Sequence, residues 1–193
     1  MIAHREEKLN NAICFFALEH KKKSGKDLTQ TYLYKYLAFL DFLSVKEYGV
    51  PAVDLCYRAM ARGPVPIELY NNRDHLETPL YEFIAQEKNI YIVRSKDKPN
   101  MDYFSDFELD LMSRLVEQYA KESSRTDEIS AASHELLEAW KQTYKKNKNG
   151  IVDYRLTFES DRKRKDSGKR SRAEENLITY LTMKSSARCS RVR

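Results

Sequence analysis

Two polar side chains stand where this sequence could do chemistry, Asp41 and His134. Asp41 is the one carboxylate in the run TYLYKYLAFLDFLSV, residues 31–45, which is dominated by apolar and aromatic side chains. A carboxylate in such a run is a catalytic acid or base, a charged contact for a partner, or a buried acceptor. As a buried acceptor it would be paired with a helix terminus or with an arginine such as Arg58 or Arg62. Buried carboxylates are usually paired and hydrogen-bonded, so pairing is the expectation. His134 directly follows Ser133. Neighbours in sequence do not make a nucleophile and its base, because the two must face each other with a third group orienting the base. No Gly-x-Ser-x-Gly elbow occurs either. His134 is therefore expected to make a fixed structural hydrogen bond near Trp140 and the Gly63–Pro66 segment. His4, His20 and His75 show no metal-ligand spacing with one another or with Cys14, Cys56 and Cys189, and three scattered cysteines are no disulfide framework. The expectation is no catalytic constellation, no metal and no cofactor.

Asp41 needs a helix to carry it. Leu33, Tyr36, Leu37, Leu40, Leu43 and Ser44 recur at steps of three and four, and Tyr32, Phe39, Phe42 and Val45 cover most of the remaining circumference. A helix apolar nearly all round is buried among other elements. Asp27 with Gln30 reads as its capping box, and Gly49 followed by Pro51 as its stop. Val53, Cys56, Tyr57 and Met60 then fall at helical spacing, which predicts a short second helix from Pro51. It runs into Gly63-Pro64-Val65-Pro66, a rigid elbow in which each proline fixes its own φ and extends the residue before it. A short helix with Ile67, Leu69, Tyr70 and Leu76 follows.

The flanking elements read less sharply. Residues 3–21 form a first helix with Leu9, Ala12, Ile13, Phe16 and Ala17 on one face. Residues 80–86 fit helix or strand equally, while residues 89–93 read as a strand. Ser105 with Glu108 is a capping box opening an amphipathic helix. Thr126 caps a further segment and Ser133 another, which carries Leu136, Leu137 and Trp140. Residues 151–158 alternate like a strand and are the expected partner of residues 89–93. The fold class is mainly α (α+β), a compact helical domain around a central buried helix with a small antiparallel sheet.

The chain of 193 residues carries a net charge of +5, unevenly spread. Residues 162–193 hold 11 Lys and Arg against 3 Asp and Glu, which leaves the preceding 161 residues at −3. The division expected is a domain at 1–158 and a basic tail at 159–193. In that tail, residues 161–172 have too little to bury and read as flexible, and residues 173–184 return to a short amphipathic helix. Its docking, on the domain, on a partner or on nothing, is left open. No apolar run reaches the length of a membrane span, and the first residues show no signal-peptide pattern. A cytoplasmic location without membrane contact is the default.

The string KYLAFLDFLSVKEYGVPAVD, continued by YRAMARGPVPIELYNN, resembles the opening of the Panacea domain, the SocA-like antitoxin domain. That family shows an Asp-bearing helix, an aromatic-Gly-x-Pro stop and a Gly-Pro-Val-Pro elbow. Ser133-His134-Glu135 with Trp140 is similar to its later Ser-His and Trp segment. The resemblance covers roughly residues 5–158, and the tail lies outside it. It implies a mostly helical antitoxin that binds and neutralises a cognate protein toxin, or an adaptor that hands a toxin to a protease. The alternative from charge is a nucleic-acid-binding regulator acting through the basic tail, with no reader module visible to give it specificity. Residues Asp41, Arg62, Gly63, Pro64, Val65, Pro66, Tyr70 and His134 are the candidate partner-binding set. Arg62, Pro64, Val65 and Tyr70 come first among them, because Arg and Tyr are typical hot-spot types.

Overall fold

Helix α2 (Gln30–Tyr48) runs through the middle of the molecule, and every side chain from Tyr32 to Phe42 is buried. A computed structural model of the chain describes residues 2–121, 126–159 and 170–189. The helix stops as its sequence dictates. Gly49 takes the left-handed conformation and returns its N–H to the Val45 carbonyl at 2.8 Å. The start differs from the expected capping box. Leu28 and Thr29 form a two-residue strand β1 that pairs with Val93 and Ile92, so Thr29 becomes the N-cap residue. Asp27 is drawn instead into ion pairs with Lys21 at 2.8 Å and Arg94 at 3.2 Å.

No helix follows Pro51. Residues 50–56 form a loop, and the chain then makes a hairpin of β2 (Tyr57–Met60) and β3 (Gly63–Pro66) in the register Tyr57–Pro66 to Met60–Gly63. The three-and-four spacing of Val53, Tyr57 and Met60 coincides with strand alternation, in which Tyr57 and Ala59 point inward and Arg58 outward. Ala59 and Tyr57 turn their backbone groups away from β3, to Gly150, Asn149 and Val152 at 2.8–2.9 Å. Pro64 and Pro66 oppose these two residues. Both prolines therefore sit where the hairpin ladder needs no N–H.

That third partner of the hairpin corrects a second expectation. Residues 151–158 do not join the strand near 89–93. Ile151 bridges Arg58, and Tyr154–Phe158 form a 3-10 turn capped by the Asp153 side chain. The small antiparallel sheet is built from β4 (Tyr81–Ala85), β5 (Tyr91–Ser95) and β1, in the order β1-β5-β4. The ambiguous residues 80–86 thus resolve as a strand.

The other helices surround α2. Helix α1 (Arg5–Ser24) packs between α2, α4 and the sheet. Helix α3 (Ile67–Asn72) continues from Pro66, and α4 (Asp106–Tyr119) opens with the expected Ser105–Glu108 box. Helices α5 (Thr126–Leu136) and α6 (Glu138–Lys146) meet at Leu137. Ser133 lies inside α5 and does not cap a helix, because its Oγ donates to the Ser130 carbonyl at 2.7 Å. Helix α7 (Arg172–Cys189) packs on the C-terminal end of α2, burying Ala173, Leu177 and Tyr180. The flexibility expected of residues 161–172 falls mostly outside the described residues. The fold is mainly helical with a small antiparallel sheet.

Candidate partner-binding site

The β2–β3 hairpin is held from its base and from its tip by polar side chains of α2. At the base stands Asp41, fully buried. Its Oδ1 accepts the N–H of Val53 at 2.7 Å and of Asp54 at 3.1 Å. Its Oδ2 accepts the Leu55 N–H and the hydroxyls of Tyr57 and Tyr154, each at 3.0 Å. The expectation of a paired carboxylate holds, but the partners are backbone and tyrosine, and no arginine is among them. Burial drives the Asp41 carboxyl above the usual carboxylate range, against the pull of these donors. Asp41 offers no surface to a partner. It shapes the loop that launches the hairpin.

At the tip stands Lys35, six residues earlier on α2 and 1% exposed. Its ammonium packs where a side chain of residue 63 would lie. A Cβ built on Gly63 would be 2.6 Å from Lys35 Nζ and 2.8 Å from Ser133 Oγ. Gly63 also has φ +110°, in the left-handed region. Both the backbone and the space demand glycine. His134 follows on α5, its ring stacked on Trp140 with centroids 4.1 Å apart and planes 6° from parallel. Trp140 stacks in turn on Tyr144 and donates its indole N–H to the Met60 carbonyl at 3.1 Å. The Arg62 backbone beside His134 favours the protonated ring. Burial and the neighbouring Lys35 nevertheless hold its imidazole below the ordinary histidine value.

Three stretches far apart in sequence thus meet at one turn: the helix bearing Lys35, the Arg62–Pro66 hairpin strand, and the Ser133–Trp140 segment. Of the predicted residues, Arg62 is exposed at the turn, Val65 and Tyr70 are half-buried, and Gly63, Pro64 and Pro66 are buried. Tyr70 on α3 lies under the Arg73 guanidinium, 4.2 Å from its ring centre. His134 joins Arg62 and Gly63, whereas Asp41 lies at the other end of the hairpin. Sequence reasoning missed Lys35. Its signal was a lysine on a helix with no polar face to escape to.

Lys35 makes no hydrogen bond or ion pair among the described residues. Burial first, and Arg62 second, push its amine down from 10.5 to about 7. A buried amine near a serine is one way to activate a nucleophile. Here, however, Ser133 is 0% exposed and its hydroxyl already donates to Ser130. Among the described residues no group of three His, Cys, Asp or Glu side chains could hold a metal ion, and no helix is long and apolar enough to cross a membrane.

Two predictions arise at this turn. Lys35→Met is expected to stabilise the free protein by ~1–4 kcal/mol near neutral pH, as replacement of buried charge by apolar volume does elsewhere. The sign follows from the lowered amine. The unfolded chain binds a proton up to about pH 10.5 and the folded one only up to about 7. The cost to the wild type is therefore full below pH 7 and fades as pH rises through that window. Urea unfolding of both proteins across the window checks it, and a gain that persists above pH 11 would be the wrong result. Gly63→Ala is expected to lose ~1–3 kcal/mol to backbone strain, with overpacking against Lys35 and Ser133 in addition. Adding Lys35→Ala should recover the part of the overpacking that Lys35 causes and leave the strain and the Ser133 contact.

No curated protein and no solved structure matches the chain. A family model described as "Antitoxin SocA-like, Panacea domain" matches residues 33–141, more than half of the 193. The match begins two residues before Lys35 and ends one residue after Trp140, so it spans both and the whole hairpin between them. The chain belongs to the SocA-like antitoxin family, as a Panacea domain with an antitoxin-like role.

Proposed function

We propose that this protein neutralises a cognate protein toxin by binding it directly, without catalysis, through the hairpin turn and the adjoining α3 surface. The observation that carries this reading is the convergence of the family's separated segments on one turn that leaves Arg62 exposed. A hairpin held at its tip by Trp140 and at its base by Asp41 is ordered before a partner arrives. Preordering lowers the entropic cost of association. Val65 and Tyr70 extend the surface with half-buried apolar area, and Arg62 adds a hot-spot residue type. Asp41, Gly63, Pro64 and Pro66 act in this reading from beneath, by holding the shape.

The test is toxicity rescue. The gene encoded beside this one is induced alone, then together with this protein, and the pair is tested for co-purification. Rescue with a stable complex supports direct neutralisation, and Arg62→Ala and Tyr70→Ala should then weaken the complex. Rescue without a complex, abolished when the host's proteases are removed, would replace neutralisation by delivery for degradation. A harmless neighbour that does not co-purify would count against both.

A further inference from the structure

We infer that the hairpin turn is a carboxylate seat, in which Lys35, Arg62 and His134 receive an acidic side chain of the protein partner. This rests on the antitoxin reading for the identity of the partner, but the seat itself stands on this chain's own residues.

Three basic groups meet at the turn, and among the described residues no carboxylate pairs with them. Among the described residues the charged neighbour that acts on Lys35 is Arg62, and the one that acts on His134 is Lys35. Polar atoms are also left over there. His134 Nε2 and Ser130 Oγ are buried with no hydrogen-bond partner, and the Lys35 ammonium has none among the described residues. Folded proteins satisfy nearly all buried polar atoms, so unsatisfied ones on neighbouring turns of α5 mark a place for a polar group from outside, and the unpaired Lys35 ammonium calls for an acceptor there. A carboxylate supplies acceptors only, which is what an ammonium and a guanidinium need.

The surroundings decide the source of that carboxylate. Residues 1–161 carry a net charge of −3. A phosphate backbone is bound by extended basic surface, and its affinity grows with the number of phosphates neutralised. A confined basic spot in a domain of negative net charge suits one acidic side chain instead. Arg62 is exposed and can meet such a group first, while Lys35 and His134 lie behind it.

The experiment uses the full chain and two probes, acetate and inorganic phosphate. The Lys35 side-chain ε-CH2 resonance, assigned by its loss in Lys35→Met, is followed against pH at increasing concentrations of each. Saturable movement of the Lys35 titration to higher pH by acetate, with a coupled shift of the His134 ring signals, is the expected result. A response to phosphate alone would overturn the carboxylate assignment, and no response to either would overturn the seat. In the rescue assay, Lys35→Met is expected to weaken the toxin complex at least tenfold while remaining folded, as its denaturation midpoint verifies. Equal rescue by wild type and variant would refute the seat and leave the antitoxin reading intact. Failure of the wild type to rescue would bring down that reading alone, since the acetate titration judges the seat without a toxin.

Discussion

Asp41→Ala is expected to abolish cooperative unfolding, while Asp41→Asn leaves a folded protein within about 2 kcal/mol of the wild type. The contrast follows from counting donors. Alanine strands the N–H groups of Val53, Asp54 and Leu55 and the hydroxyl of Tyr57, while Tyr154 keeps the Leu55 carbonyl at 2.8 Å. Each buried group left without a partner costs about 1–3 kcal/mol, and the lost side chain leaves a void as well. Several such terms together approach the ~5–15 kcal/mol that stabilises a typical domain. Asparagine keeps the shape and keeps an oxygen for Val53 and Asp54. The tyrosine hydroxyls can rotate to accept from its amide, which leaves the Leu55 N–H as the main loss. Removing a buried ionisable group offsets part of that loss. The pH dependence has a definite sign. Burial raises the folded-state pKa of Asp41, so its contribution is full below the ordinary carboxylate range and is lost as pH rises towards the raised value. The asparagine variant lacks this loss and should gain on the wild type as pH rises. Chemical denaturation of both from acid to neutral pH measures the difference. A gap that widens in favour of the wild type would show that the five donors outweigh burial.

Elements with local punctuation were legible in the sequence; those shaped by distant partners were not. The stop of α2 at Gly49 and the Ser105–Glu108 box of α4 are local chemistry, and both stand as read. The hairpin was missed because its strands are four residues long and one of them is half proline. What makes it a hairpin is remote. Asp41 takes the loop N–H groups that a helix after Pro51 would have used, and residues 149–152 take the outer edge of β2. Residues 151–158 misled for the converse reason, since their alternation serves a short contact with β2 and then a 3-10 turn. In the candidate site, Arg62, Gly63 and His134 were named from sequence and do lie together. Asp41 was named as a contact, and the structure buries it beneath the other end of the hairpin. Lys35 escaped notice because lysines normally run their stems along apolar surface and keep the charge in water. On α2 it shares a stripe with Tyr32, Phe39 and Phe42, all buried, and has no edge to reach.

Gly49→Ala is expected to detach the C-terminal helix, although residue 49 lies nowhere near the hairpin tip. A Cβ there would stand 2.0 Å from the Ala173 carbonyl oxygen, 2.7 Å from the Asn176 Cβ and 2.8 Å from the Leu177 nitrogen. Two of these are backbone atoms of α7, so no side-chain rotation relieves the contact. The residue also holds φ +78°, which costs a non-glycine residue about 1–3 kcal/mol. Either α2 gives up its cap or α7 moves off, and α7 has fewer anchors. Its buried side chains are Ala173, Glu174, Leu177 and Tyr180, with Asn176 bonded to the Tyr48 carbonyl and Lys184 paired with Asp54. Movement of α7 would bare the loop at residues 52–55, whose N–H groups Asp41 holds. The variant should lose several kcal/mol of stability and become readily cleaved by trypsin at Arg172 and Lys184, sites that the wild type holds within the docked helix. A chain ended after Glu159 should lose a similar amount of stability, because the same apolar contacts vanish. If that shortened chain were as stable as the full one, α7 would be a passive appendage and the alanine at 49 should then be harmless apart from its φ. The same result bears on the basic tail. Because α7 is part of the packed core, a role for residues 162–170 in nucleic-acid binding is tested by neutralising their charges in the full chain, and not by truncation.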